Sequence, residues 1–180
     1  MIIDNLTPKF TGGLNLGVSW KNLSLFGQFS FTYGGKIYNL DEQLLRSTEL
    51  GYDDVMKNKP DYILDRWTQE NQSSRYPRFV VGAHGAQNET GWNDRPSTLY
   101  LFDASFLKLN KLTLSYNLPQ NWIQKLGMTS CSVYLSGENL FTLKNKKLNV
   151  PDPEAALTSG IAQKGVPSPR SFMIGLDLTF

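Results

Sequence analysis

The chain has 180 residues, of which 40% are hydrophobic and 19% charged, and its formal net charge is only +2. That length suffices for one domain with its own core, and so mild a charge indicates neither nucleic acid nor a strongly acidic surface as a partner. The single cysteine, Cys131, excludes an internal disulfide framework, and with the single histidine, His84, it excludes Cys/His zinc sites. No apolar run approaches the roughly 20 residues of a membrane-spanning helix. The N-terminus "MIIDNLTPKF" lacks the basic start, apolar core and cleavage site of a signal peptide, so an exported protein containing this chain is expected to be longer.

The first strand, near 11–20, reads "TGGLNLGVSW", with Gly12, Leu14, Leu16, Val18 and Trp20 on one face and Thr11, Gly13, Asn15, Gly17 and Ser19 on the other. The two-residue connection Lys21-Asn22 predicts a tight hairpin into a second strand near 23–38. There Leu23, Leu25, Gly27, Phe29, Phe31 and Tyr33 oppose Ser24, Phe26, Gln28, Ser30 and Thr32. Gly34 and Gly35 read as steric relief where this strand bends, since "TYGGKIY" lacks the spacing of a phosphate-binding loop.

A long loop follows, near 39–103. "NLDEQLLRSTELG" predicts a short helix that starts at Asn39/Asp41 and stops at Gly51. After it, "DYILDRWTQENQSSRYPR" collects Trp67, Asn71, Arg75, Tyr76 and Arg78. Aromatic faces stack on sugar rings, and Asn and Arg donate hydrogen bonds to hydroxyls, so these five are candidates for ligand contact. The competing reading is that Trp67 and Tyr76 fold the loop down while Arg66 and Arg78 pair locally. His84, between Gly82 and Gly85, has no second histidine or cysteine to work with, and no G-x-S-x-G elbow occurs, so no enzyme is expected. The four N-x-[ST] triplets, at Asn5, Asn22, Asn71 and Asn88, carry no weight here.

The third strand, near 104–118, changes phase. Its apolar residues are odd-numbered at Leu107 and Leu109 but even-numbered at Leu112, Leu114, Tyr116 and Leu118. A β-bulge within Leu109 to Leu112 would put every leucine on one face and Lys108 and Lys111 together on the other. A moderate connection leads to a fourth strand near 130–142, with Cys131, Val133 and Leu135 set against Ser130, Ser132, Tyr134, Ser136 and Glu138. A second long loop, near 144–169, precedes a final strand near 170–180, where Phe172, Ile174, Leu176, Leu178 and Phe180 alternate with small or polar residues.

Short and long connections therefore alternate, placing turns at one end of the sheet and long loops at the other. Two-faced strands of about 10 residues with this asymmetry describe an outer-membrane β-barrel. Trp20, Tyr116 and Phe180 at the short-turn ends, and Tyr33, Tyr100, Phe102, Phe141 and Phe172 at the long-loop ends, fit two aromatic girdles. A soluble β-sandwich, as a secreted carbohydrate-binding or adhesion module, shares the alternation. However, no Asp, Glu, Lys or Arg falls on the apolar face, where one costs roughly 2–4 kcal/mol at a bilayer midplane.

Six separated stretches carry a more specific signal: "PKFTGGLNLGVSWKNLSLFGQFSFTYGGKIYN", "DRWTQENQSSRYPR", "LFDASFLKLNKLTLSYNLP", "VYLSGENLFTL", "DPE" and "SPRSFMIGLDLTF". In this order they resemble the C-terminal region of the SusC/RagA family of TonB-linked outer-membrane transporters. The resemblance implies an all-β fold: about five C-terminal strands of an antiparallel transmembrane barrel of about 22 strands, with the plug domain and TonB box absent. It implies import of oligosaccharides or peptides with a SusD-like lipoprotein, location in the Gram-negative outer membrane, and no cofactor. The long loop would face the lipoprotein lid, making lid contact a further role for Trp67, Asn71, Arg75, Tyr76 and Arg78. The TonB complex would act only through the missing N-terminal part. The terminal strand, with Phe172, Ile174, Leu176, Leu178 and Phe180, resembles the signal read by the β-barrel assembly machinery, whose physical basis would be strand addition at an edge.

Overall fold

The computed structural model describes residues 5–46, 58–74, 76–78, 96–157, 159–163 and 165–180. Eleven-residue alternation at each end of Lys21-Asn22 produces β1 (Phe10–Trp20) and β2 (Leu23–Tyr33), paired from Phe10↔Tyr33 to Trp20↔Leu23. Lys21 adopts a φ of 53°, and Asn22 ties the turn to the next strand, its Nδ2 donating to the Asn117 carbonyl at 2.8 Å. β5 (Phe106–Asn117), β6 (Ser130–Lys144) and β8 (Ser171–Thr179) continue the sheet in the order β1-β2-β5-β6-β8, every neighbour antiparallel.

The register resolves the phase change in β5. Phe29 pairs with Leu109 but Gln28 with Lys111, which leaves Asn110 as the extra residue. Leu107, Leu109, Leu112, Leu114 and Tyr116 consequently share the face of Phe31, Phe29, Gly27, Leu25 and Leu23, while Lys108 and Lys111 lie opposite Ser30 and Gln28. The bulge falls where the leucines require it. β6 answers with an irregularity of its own: Asn139 has a φ of 53°, and Leu109↔Phe141 steps to Lys111↔Glu138.

The second strand is shorter than its sequence suggests. It ends at Tyr33, and residues 36–39 form a separate strand, β3 (Lys36–Asn39), in another sheet. The break is made by Gly34 and Gly35, at φ 74° and 76°. A Cβ on Gly35 would lie 2.8 Å from the Leu6 carbonyl oxygen and 2.9 Å from the Pro8 nitrogen, both backbone atoms. Gly35→Ala is therefore expected to destabilise the fold by about 2 kcal/mol, read as a lower urea midpoint.

The long loops are built rather than open. β3 pairs antiparallel with β4 (Leu101–Asp103) and parallel with β7 (Ile161–Ala162), so both long connections enter one small sheet. Asn39 caps the helix that follows, α1 (Leu40–Arg46): its Oδ1 accepts the Glu42 N–H at 3.0 Å. Its Nδ2 reaches across to the Asn149 carbonyl at 3.1 Å. Ile37, Ala104, Leu148, Val150, Ala156 and Ala162 form the buried core beneath. The β5–β6 connection holds α2 (Gln120–Ile123), and the β6–β8 connection holds α3 (Pro153–Leu157).

The main core therefore lies under the small sheet, and the five-stranded sheet leaves most of its apolar face exposed, with Leu109 and Cys131 buried within it. Val18, Trp20, Phe172, Ile174 and Leu176 are all more than 60% exposed. So long a continuous apolar surface marks an interface rather than a soluble exterior.

Candidate functional site

Three features stand out: the bare apolar face, an ion-pair clasp on the polar face, and an aromatic groove in the first long loop. The cross-strand pairs place Leu14, Phe29, Leu109 and Phe141 on the apolar face, with Leu135↔Ile174, Val133↔Leu176 and Cys131↔Leu178 towards the last strand. No charged residue occupies this face among the paired positions. The polar face carries Asn15, Gln28, Ser30, Lys108, Lys111, Thr113, Ser136, Glu138 and Asp177. Tyr134 lies flat over Gly175, where a Cβ would come within 2.4 Å of its ring. The terminal residues Phe172, Ile174, Leu176, Leu178 and Phe180 are 49–81% exposed, and β8 is an open edge.

On the polar face, Lys108 turns its ammonium to the second long loop. Its Nζ donates to Asp152 at 2.8 Å and Glu154 at 3.0 Å, and Lys108 is only 6% exposed. Ser168 donates to the same Asp152 oxygen at 2.6 Å, and Lys144 bonds the Val150 carbonyl. Burial works against the Asp152 charge, but the bonds from Lys108 and Ser168 outweigh it and hold the carboxyl below its ordinary range. The "DPE" stretch, 152–154, is thus the fastening of that loop to the sheet.

In the first long loop, α1 supplies an i,i+4 pair: Arg46 Nε donates to Glu42 at 2.7 Å and its Nη2 stands 2.6 Å away. Tyr62, from a 3₁₀ turn over Asp61–Asp65, donates to the same Glu42 oxygen at 2.5 Å. Burial first, and then the Glu42 bond, push the Tyr62 hydroxyl up to about 12. The Arg46 guanidinium lies 5.0 Å from the Tyr62 ring and 4.9 Å from Tyr76, and the two rings stack at 5.2 Å. Tyr76 is thereby fixed from below.

Above it, an Arg66↔Tyr76 bridge and a Trp67 N–H to Tyr76 carbonyl bond of 2.9 Å bring the two ends of the loop together. Trp67, Ser74, Tyr76, Pro77 and Arg78 line an open groove of about 470 Å³. Three of the five sequence candidates, Trp67, Tyr76 and Arg78, therefore converge. Asn71 stays out of the groove lining: its amide donates to Asp65 at 2.8 Å and holds the turn. Arg75 and His84 lie outside the described residues, as does Gly51. The Glu42–Arg46 spacing was a readable signal for the support beneath the groove; Tyr62 gave none. Among the described residues no group of three His, Cys, Asp or Glu side chains could hold a metal, and no helix is long and apolar enough to cross a membrane.

A two-faced antiparallel meander with a bare apolar side and long loops at one end matches the barrel wall of an outer-membrane receptor. No family model matches the chain. It is 29% identical, over its whole length, to TonB-dependent receptor P26 of Formosa agariphila and 28% identical, over 99% of its length, to TonB-dependent receptor P3 of the same organism. It spans 18% and 17% of those relatives, respectively. Among solved structures it resembles the RagAB peptide importer in its closed-closed state at TM-score 0.80 and 30% identity, and in its open-open state at 0.76 and 31%. Each match covers 99% of this chain and 18% of the other. In sequence and fold together the chain resembles the C-terminal region of the SusC/RagA-type, TonB-linked outer-membrane transporters, as its motifs imply.

Proposed function

We propose that this chain is a C-terminal stretch of the barrel wall of a TonB-dependent importer in a Gram-negative outer membrane. The observation that carries this reading is the charge-free apolar face, exposed from β1 to β8 and backed by a polar face. The relatives, named as receptors and importers rather than enzymes, support it. A sheet of five strands with two open edges needs further strands to close, and about 22 are proposed for the whole barrel.

By the same reading, β8 closes against the first strand of the full barrel, and Phe172, Ile174, Leu176, Leu178 and Phe180 serve as its assembly signal. The cargo is an oligosaccharide or a peptide, taken up with a SusD-like lipoprotein, and the TonB complex acts through the part not present here. Similarity to RagAB, a peptide importer, supports this class. The groove of Trp67, Tyr76 and Arg78 is the proposed contact for cargo or lid, with Asn71 and Arg46 supporting it. In the full-length transporter, Trp67→Ala with Arg78→Ala is expected to reduce uptake or lipoprotein binding at least about fivefold, consistent with loss of an aromatic anchor and a guanidinium. Uptake and lid affinity both at the parental level would remove the groove from the mechanism.

A further inference from the structure

A second polar recess, of about 300 Å³, lies at the long-loop rim beside the end of β2. Tyr33, the last apolar-face residue of β2, forms part of its wall and joins it to that face. Phe10 and Tyr33 stack there at 5.1 Å, more than half exposed, and the Lys9 ammonium stands 5.9 Å from the Tyr33 ring. Asn5, Thr7, Lys9, Lys36 and Ser105 supply polar side chains, and Asp103 is the one carboxylate of the lining. Asp103 has its own business: it accepts the Ser105 hydroxyl and, at 2.7 Å, the Ser105 N–H, and it lies beside Lys36, and these in that order hold its carboxyl below the ordinary range. The recess is kept open by Gly35, whose backbone packs against Leu6 and Pro8 too closely for any side chain.

We infer that this recess receives the phosphate of an anionic lipid, with Lys9 and Lys36 on the headgroup and the acyl chains descending over Phe10, Tyr33 and the apolar face. Two arguments choose a lipid over a free ion. The recess carries two cations against one carboxylate, and it is continuous with the surface proposed to face acyl chains, so one molecule satisfies both halves. The Lys9 stem also lies over the Gly34 backbone, 3.0 Å from where a Cβ would stand, which leaves its ammonium at the boundary between the apolar and polar zones. The inference rests on the barrel reading given above.

The test uses the full-length transporter in a neutral detergent with three probes: dioleoyl phosphatidic acid, dioleoylglycerol and inorganic phosphate, titrated by native mass spectrometry. Phosphatidic acid should bind in preference to the other two. Lys9→Gln with Lys36→Gln should weaken it about tenfold or more, since each surface lysine contributes a severalfold effect on anionic lipid binding. Asp103→Asn, which removes the competing charge, should tighten it, a direction that mere structural damage does not produce. Equal affinity for phosphatidic acid in the parent and the double-lysine variant would overturn the assignment. So would inorganic phosphate binding as well as the lipid, which would mark an ion site, or dioleoylglycerol doing so, which would make the lysines irrelevant. Quenching of Trp20 by brominated phosphatidylcholine, judged against Trp20→Phe, reads the underlying lipid face separately. It should persist in the lysine variant, and its absence in the parent would instead count against the barrel.

Discussion

Replacing Lys108 by methionine is expected to cost about 3–5 kcal/mol, because it strands carboxylates that the fold has taken out of water. Asp152 is only 9% exposed at its side chain, whereas Glu154 is 45% exposed and can turn to solvent, so the loss centres on Asp152. The urea midpoint of the refolded full-length transporter should fall, and the loop over 145–170 should become sensitive to protease while β1 and β2 stay protected. Lys108→Arg should keep most of the stability. Lys108→Met combined with Asp152→Asn should recover part of the loss, since the double change removes the unpaired charge. The pH dependence follows from the sign of the shift. Asp152 has a folded-state value below its unfolded one, so its contribution is complete above the ordinary carboxylate range and is lost as pH falls through the lower, folded value. Lys108→Met should abolish that acid-side dependence.

Leu16→Arg is the second change with a large expected effect, about 2–4 kcal/mol if the residue lies near the bilayer midplane. Leu16 is central in β1, 52% exposed, and opposite Gly27. In a soluble protein an arginine at so exposed a site would be nearly neutral. Its neighbour Asn15 faces the polar side opposite Gln28, and Asn15→Arg should be tolerated. Heat-modifiable migration of the assembled full-length protein measures the difference. Equal yields for the two variants would mean that the apolar face does not meet lipid.

Most of the sheet could be read from periodicity because each face meets a different solvent. In β1 and β2 the alternation keeps one phase throughout, despite Phe26 on the polar face and Gly27 on the apolar one, and the register follows it residue for residue. The bulge at Asn110 was legible too, since Leu109 and Leu112 stand three apart on one face. The kink at Asn139 in β6 was not: Gly137 and Phe141 are four apart, so the parity is unchanged and the sequence hides it. Nor was the end of β2 at Tyr33, because Ile37 and Tyr38 look like more of the same strand. They leave it because paired glycines turn the chain into a second sheet, where Tyr38 pairs with Ile161 from the distant loop.

The site was legible in its residue types but not in its assignments. Trp67, Tyr76 and Arg78 are aromatic or cationic residues in a polar loop and stand out locally. Asn71 stood out for the same reason, although its amide is spent on Asp65. The Glu42–Arg46 pair could be read from its spacing, but the bonds of Tyr62 to that pair and the clasp from Lys108 to Asp152 and Glu154 join residues 16 to 46 positions apart in the chain. Polar pairings at that distance leave no period, so only the fold displays them.

The central claim is that one face of the five-stranded sheet meets lipid and the other meets water. It is tested most directly by placing spin labels, one at a time, at Leu14, Asn15, Leu16, Gly17 and Val18 of the full-length transporter in bilayers, and measuring collision with oxygen and with a water-soluble nickel chelate. Oxygen accessibility should peak at Leu14, Leu16 and Val18, and nickel accessibility at Asn15 and Gly17. Uniform nickel accessibility along β1, or the opposite alternation, would contradict the account.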